Sequence, residues 1–299
     1  MSAKKRFGLQ RKLVAAATSG EWRNAPLMSV LYEADVTRLI GVLREINAGR
    51  STGDAISFNT VILKIIAEGI KACPKMNGHI HYNNFLARGK VTTFDSIDVT
   101  MPVLLGQNNT MSLNIRGVED MSLSDIRDAV SGAIRRARNS HMPQVMYELA
   151  LHDTMKELRH FHVFKALGRF IGLLLDGSTK ELLHGKAKRE YKQIPAEERL
   201  SWRDLEQGTI TVTNPGTLLR SCNGRCVLMT IIPPAIAAVA VNNVLDKPLV
   251  GKDGTIRPGK TVELTVIFDH RALDGADLVP FFRCLDKIFA SPEVLKEYL

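Results

Sequence analysis

The run Val266-Ile267-Phe268-Asp269-His270-Arg271-Ala272-Leu273-Asp274-Gly275 sets an imidazole, a carboxylate four residues later and a glycine in succession. A neutral imidazole near its ordinary pKa takes up and returns a proton at neutral pH, which makes His270 a candidate general base. Asp274 is the candidate that fixes the ring, and Gly275 offers a sharp turn. Spacing alone leaves the bland reading ahead, because a lone histidine near a lone aspartate is more often structural or exposed than catalytic.

The flanking elements decide how such a group is presented. Thr261 to Val266 alternates as a β-strand does, and from Ala276 to Ala290 the residues Leu278, Phe281, Phe282, Leu285, Ile288 and Phe289 recur at helical spacing. The histidine therefore sits where a strand ends and shortly before an amphipathic helix. Earlier in the chain, residues 9–20 are predicted helical, Leu27 to Asp35 a strand, Val36 to Asn47 a helix, and Ser57 to Ala72 a helix ended by Pro74. His79 to Leu86 and Gly89 to Phe94 read as a hairpin around Asn83-Asn84, and Ser96 to Leu105 and Met111 to Ile115 as strands. Ser122 to Arg138 is a helix capped by Ser122, with Asp125 at the third helical position. Strands are predicted at 208–214, 226–232, 235–244 and 261–268, with a turn at Lys252-Asp253-Gly254. Strands mixed with long helices point to an α/β layered sandwich.

The chain has 299 residues, ample for one large domain or two small ones, and its hydrophobic content of 45% is that of a globular protein. Its longest apolar run, Val227 to Val241, is short of a membrane span and contains Pro233 and Pro234. The basic N-terminus is not followed by an apolar stretch, so no signal peptide is expected and a cytoplasmic location is the default. Cys222 and Cys226 have no further Cys or His pair close by, so reduced thiols are expected and a metal site is not. A net charge of +9 is compatible with an anionic ligand such as coenzyme A, a nucleic acid or an anionic membrane, with a generally solvated basic surface the commoner outcome; no helix-turn-helix, zinc-finger or RNP pattern accompanies it, so no nucleic-acid partner is expected.

DHRALDG resembles the DHRxxDG signature of the dihydrolipoamide acyltransferases, the catalytic cores of 2-oxo acid dehydrogenase complexes, and its shorter form HxxxDG is shared with chloramphenicol acetyltransferase. Gly208 to Gly216 is similar to the family's GxFTITNxG segment and Ile231 to Val239 to its IINPPQxAIL segment. Arg11 to Ala15 and Pro26 to Leu39 follow its first helix and strand, and Phe58 to Asn77 resembles its next helix with the PExN ending. The match covers most of residues 9–140 and 207–299. Between them, at about 141–206, stands an insertion of helical character. In it Phe161, Phe164, Leu167, Phe170, Ile171, Leu174 and Leu175 share one face, with Lys165 and Arg169 off it. Such a helix is expected to pack on the parent domain or a neighbouring subunit; membrane-surface contact is the less expected use. Lys186 to Lys192 reads as a solvated face.

The resemblance implies a single catalytic domain over 1–299. Its fold would be the chloramphenicol-acetyltransferase-like two-layer sandwich, a mixed sheet covered by helices, assembling as a homotrimer with active sites between subunits. It implies acyl transfer between coenzyme A and a thiol such as dihydrolipoamide, with no bound cofactor. His270 matches the general base, Thr213 the hydroxyl that stabilises the tetrahedral oxyanion, and Asp274 the residue supporting the site; Asn214 and Gly275 match residues that shape it. Thr213 and His270 would come from different chains. The sequence shows no lipoyl module, so a lipoyl substrate would arrive on another protein. Three departures stand out. Ala15-Ala16-Ala17 replaces an early Arg or His of the family's first helix, so an Asp274 steadied by that residue needs another partner. Thr100 to Asn109 replaces the TPxGLVVPV strand, and Asn214-Pro215-Gly216 replaces NxG. Two other functions compete: a small-molecule O- or N-acetyltransferase, and a silent scaffold for assembly or membrane docking.

Overall fold

The computed structural model describes residues 25–104, 110–159, 182–219, 221–222, 224–251 and 253–299, together with Ala15, Ser19 and Trp22. Most of the first helix and the amphipathic run 161–175 lie outside the described residues. Ala15, Ser19 and Trp22 are helical, and the expected helix end at Gly20 lies outside the described residues.

Two compact units divide the chain. The larger gathers Gly20–Pro102, Ile115–Val130 and Gln207–Leu299. Its strands are β1 (Leu27–Asp35), β2 (Gly78–Asn83), β3 (Arg88–Thr93), the first part of β4 (Val99–Leu104), β6 (Ile210–Thr213), β7 (Ala237–Val250) and β8 (Ile256–Asp269). β1, β8 and β7 pair antiparallel, and β7, β6 and β4 parallel, giving the mixed sheet β1-β8-β7-β6-β4. β2 and β3 form a separate hairpin. Its turn falls at 84–87 and the first strand stops at Asn83, short of the expected Leu86, because the Asn83 side chain accepts from the amides of Phe85 and Leu86 and ends the strand.

The helices of this unit are α1 (Thr37–Ile46), α2 (Phe58–Ala72), the first half of α3 (Leu123–Arg138), the one-turn α6 (Pro215–Leu218) and α7 (Val279–Ala290). Ser57 caps α2 by accepting from Thr60 N, and Ser122 and Asp125 form the expected reciprocal cap on α3. α2 is buried nearly all round, because it runs through the core. Val61, Ile62, Ile65, Ile66 and Ile70 are joined there by Lys64. That buried ammonium is fully served by Glu68 at 3.2 Å, the Glu119 carbonyl at 3.0 Å and the Tyr298 ring at 4.6 Å. α7 packs on the α2 side, where Phe282 stacks on Tyr32 of β1 at 5.6 Å.

One expected strand is absent. Residues 226–232 make no ladder. Their backbone is claimed by side chains of the sheet instead: Asn242 Oδ1 accepts from Cys226 N at 2.8 Å, while Asn242 Nδ2 and Thr265 Oγ1 donate to Cys226 O. The apolar alternation packs this strap down, Met229 and Ile231 meeting Ala235, Ala238 and Ile267.

The smaller unit gathers Met1–Ser19, Val103–Asn114 and Ser131–Glu206, and so holds the end of β4, most of β5 (Thr110–Ile115), α4 (Met142–Arg159) and α5 (Gly185–Gln193). Its described helices fit the helical character expected of the segment. His152 stacks on Trp202 at 3.7 Å, Arg136 pairs with Asp204 at 2.9 Å, and Ser140 accepts from Leu200 N at 2.6 Å. α5 buries no residue, as a solvated charged face should.

Candidate active site

β8 ends at Asp269, and the chain turns at once: Ala272 N and Leu273 N both donate to the Asp269 carbonyl. His270 is the first residue of this turn, its own amide donating to Pro26 O at 3.0 Å. The ring is 41% exposed, with Phe268 edge-on at 6.0 Å. Nδ1 stands 3.0 Å from the Leu273 carbonyl and 3.2 Å from Asp274 Oδ1. Neither oxygen has a proton to give, so Nδ1 carries the hydrogen and donates it. In the neutral ring that leaves the lone pair on Nε2, the nitrogen that can take a proton from an incoming group.

Asp274 does two jobs at once. It caps the short 3₁₀ turn Gly275–Leu278, and its carboxylate also faces His270. Gly275 is not required by the local backbone: its φ lies outside the left-handed region, and a Cβ there would meet nothing within 4 Å. The turn is made at Arg271 and Ala272 instead.

The motif contains a pair that sequence reasoning passed over. Asp269 is 1% exposed and accepts from Arg271 three ways: the backbone N at 2.9 Å, Nε at 3.0 Å and an Nη at 2.5 Å. Arg271 also lies over the Tyr82 ring at 5.4 Å. The two flank His270 and lock the turn. The signal was the DHR triplet itself.

Thr213 closes β6, and its hydroxyl makes no hydrogen bond with any described residue. Asn214 caps α6, its Oδ1 accepting from Thr217 N at 2.9 Å while its Nδ2 donates to Asn59 at 2.6 Å. Gly216 must be glycine, since a Cβ there would come within 2.6 Å of the Asn242 backbone. That contact falls on a bulge between Val241 and Val244 of β7. Asn243 on the bulge donates to the carbonyls of Leu219 and Cys222, so two consecutive asparagines hold the strap and the segment after Thr213.

Thr213 and His270 are not brought together within one chain. Thr213 is level with Ala240 and hence with Thr265, two strands away and five residues short of His270. At ~3.3 Å per residue and ~4.8 Å per strand, roughly 19 Å separates them. Four cysteines, Cys73, Cys222, Cys226 and Cys284, are free thiols. No group of three potential metal ligands occurs among the described residues, and none of their helices is long and apolar enough to cross a membrane.

The mixed sheet covered by helices is the α/β fold of solved dihydrolipoamide acetyltransferase structures, as the sequence resemblance implied. The fold is shared with the solved structure of Azotobacter vinelandii dihydrolipoamide acetyltransferase, at TM-score 0.68 and 15% identity over 99% of this chain and 94% of that one. Among curated proteins, the lipoamide acyltransferase component of the branched-chain alpha-keto acid dehydrogenase complex of Arabidopsis thaliana is 28% identical over 39% of this chain and 22% of its own length. The dihydrolipoyllysine-residue succinyltransferase component of the 2-oxoglutarate dehydrogenase complex of Sus scrofa is 35% identical over 32% of this chain and 20% of its own. The chain thus spans about a fifth of the length of these relatives. The family of 2-oxoacid dehydrogenase acyltransferase catalytic domains matches residues 4–146 and 185–296. With both blocks matched and the fold shared, the chain belongs to the 2-oxoacid dehydrogenase acyltransferase family, as a catalytic domain.

Proposed function

We propose that this chain moves an acyl group between coenzyme A and a thiol acceptor such as dihydrolipoamide, with His270 as the general base. The observation that carries this reading is the imidazole held by Nδ1 between two acceptors, which leaves Nε2 basic at the end of a rigid strand. As the acceptor sulfur attacks the thioester carbonyl, its proton passes to Nε2. A new C–S bond forms and the carbonyl oxygen becomes an oxyanion, to which the Thr213 hydroxyl of a neighbouring chain donates. Collapse breaks the original C–S bond, and the imidazolium returns its proton to the departing thiolate. An oxyanion donor of this kind lowers the barrier by roughly 3 kcal/mol. Asp274 holds the ring, and Asn214 and Gly275 shape the site.

The distance of roughly 19 Å supports a site shared between chains, and a homotrimer is the assembly the family resemblance implies. The Azotobacter enzyme was studied for the roles of a serine, a histidine and an asparagine numbered four after it; Thr213, His270 and Asp274 take those roles here. The chain acts as one catalytic domain interrupted at about 141–206, a reading supported by the gap at 147–184 in the family match. It works in the cytoplasm, where its thiols stay reduced. The test is thiol release from a panel of acyl-CoAs with dihydrolipoamide. Turnover with that acceptor is expected; turnover only with hydroxyl or amine acceptors would overturn the thiol reading.

A further inference from the structure

The sequence has Ala15-Ala16-Ala17 where the family's first helix carries an arginine or histidine, and the Asp274 carboxylate stands 3.2 Å from His270 Nδ1. Asp274 is also held from the turn that follows it. Asp274 N donates to Asp277 Oδ2 at 2.9 Å, and Asp277 N donates to the Asp274 backbone carbonyl at 2.9 Å, so the two residues clasp the turn Gly275–Leu278 from both ends. The other oxygen of Asp277 takes Lys75 Nζ at 2.7 Å, and its carbonyl takes the Cys73 thiol at 3.0 Å. Cys73 caps the end of α2 and Lys75 lies in the 3₁₀ turn Pro74–Met76 that follows, which Asn77 in turn ties to the carbonyls of Phe94 and Ser96. The PExN pattern has glutamate where Lys75 stands, and a glutamate could not pair with Asp277.

We propose that Asp277, held by Lys75, is a positioning residue for His270. It sets the carboxylate of Asp274, which with the Leu273 carbonyl keeps the proton on Nδ1 and the lone pair on Nε2. The Lys75 ammonium also holds the Asp277 carboxyl below the ordinary carboxylate range, so the pair is charged at neutral pH. The inference rests on the general-base reading of His270.

The test uses the full chain and two readouts: the nitrogen NMR shifts of the His270 ring, which need no substrate, and kcat and KM for acyl-CoA. Asp277→Ala is expected to mix the two ring tautomers and lower kcat about five- to tenfold, the size of a lost cap, with KM little changed. Asp277→Glu, the residue type that closes such caps elsewhere, is expected to restore both. Asp277→Asn keeps an acceptor for Asp274 N and loses the lysine, so it and Lys75→Gln should cost about twofold, as an exposed ion pair does. If Asp277→Ala does not fold, Asp277→Asn carries the comparison. An unchanged tautomer in Asp277→Ala, or a kcat loss that Asp277→Glu does not repair, would overturn the proposal. Full turnover by His270→Ala would remove the base reading instead, and the NMR result would still decide whether Asp277 sets the ring.

Discussion

Two inactive variants should restore each other when their chains are mixed. His270 and Thr213 lie on one sheet, but the register separates them by roughly 19 Å, several times the reach of a hydrogen bond. A thioester carbon attacked beside His270 cannot place its oxyanion on the Thr213 of the same chain. If the site is built head to tail around a ring, each site draws the histidine from one chain and the threonine from the next. Co-expressing His270→Ala with Thr213→Ala chains in equal amounts then leaves half the histidines and half the threonines intact, independently. About a quarter of the sites should be whole. Each variant alone should fall at least about a hundredfold, since a lost oxyanion donor costs that much. Thiol release by purified mixed oligomers is the assay, with a mixture of His270→Ala and wild-type chains expected at about half activity as the control. A mixture no more active than the variants apart, when mass spectrometry shows mixed oligomers, would refute the shared site.

Three further substitutions test the frame around the site. Asp269→Asn strips the buried partner from Arg271 and should cost about 3 kcal/mol in denaturant unfolding, as broken buried pairs do; a change within error would mean that the pair does not hold the turn. Gly216→Ala drives a Cβ into the Asn242 backbone and should lower stability by about 1–3 kcal/mol in a thermal melt, whereas Gly275→Ala, with open space around it, should leave an isolated chain's melt unchanged. Burial pushes the Asp204 carboxyl up, but its Ser201 hydrogen bonds and Arg136 outweigh that and hold it below the ordinary range. A depressed carboxylate lends stability that is fully present above about pH 4 and is lost as pH falls through its folded value. Acid melts of Asp204→Asn should therefore be flatter than wild type below about pH 4; parallel curves would exclude Asp204 as a source of acid sensitivity.

Much of this was legible in the sequence because local pattern and tertiary demand agree. Leu27–Asp35 was read to the residue, since an alternating run on a half-buried edge has one way to pair. α2 was found from its isoleucine stripe and from Ser57. Residues 226–232 misled because apolar alternation reports which side is buried, not what bonds the backbone; Asn242 and Thr265, distant in sequence, took that role. Lys64 lies buried within α2, and only its carboxylate, carbonyl and ring partners make its burial tolerable. At the site, His270 and Asp274 were visible from the motif. The support behind them was not, because Lys75 and Asp277 stand about 200 residues apart and each reads alone as a surface charge.

The most direct measurement is kcat for thiol release from acyl-CoA with dihydrolipoamide by wild type and His270→Ala, each checked for the same melt and oligomeric state. Loss of the base should lower kcat by about a hundredfold or more with the fold intact. A variant that keeps wild-type turnover would contradict the assignment of His270 as the group that takes the proton.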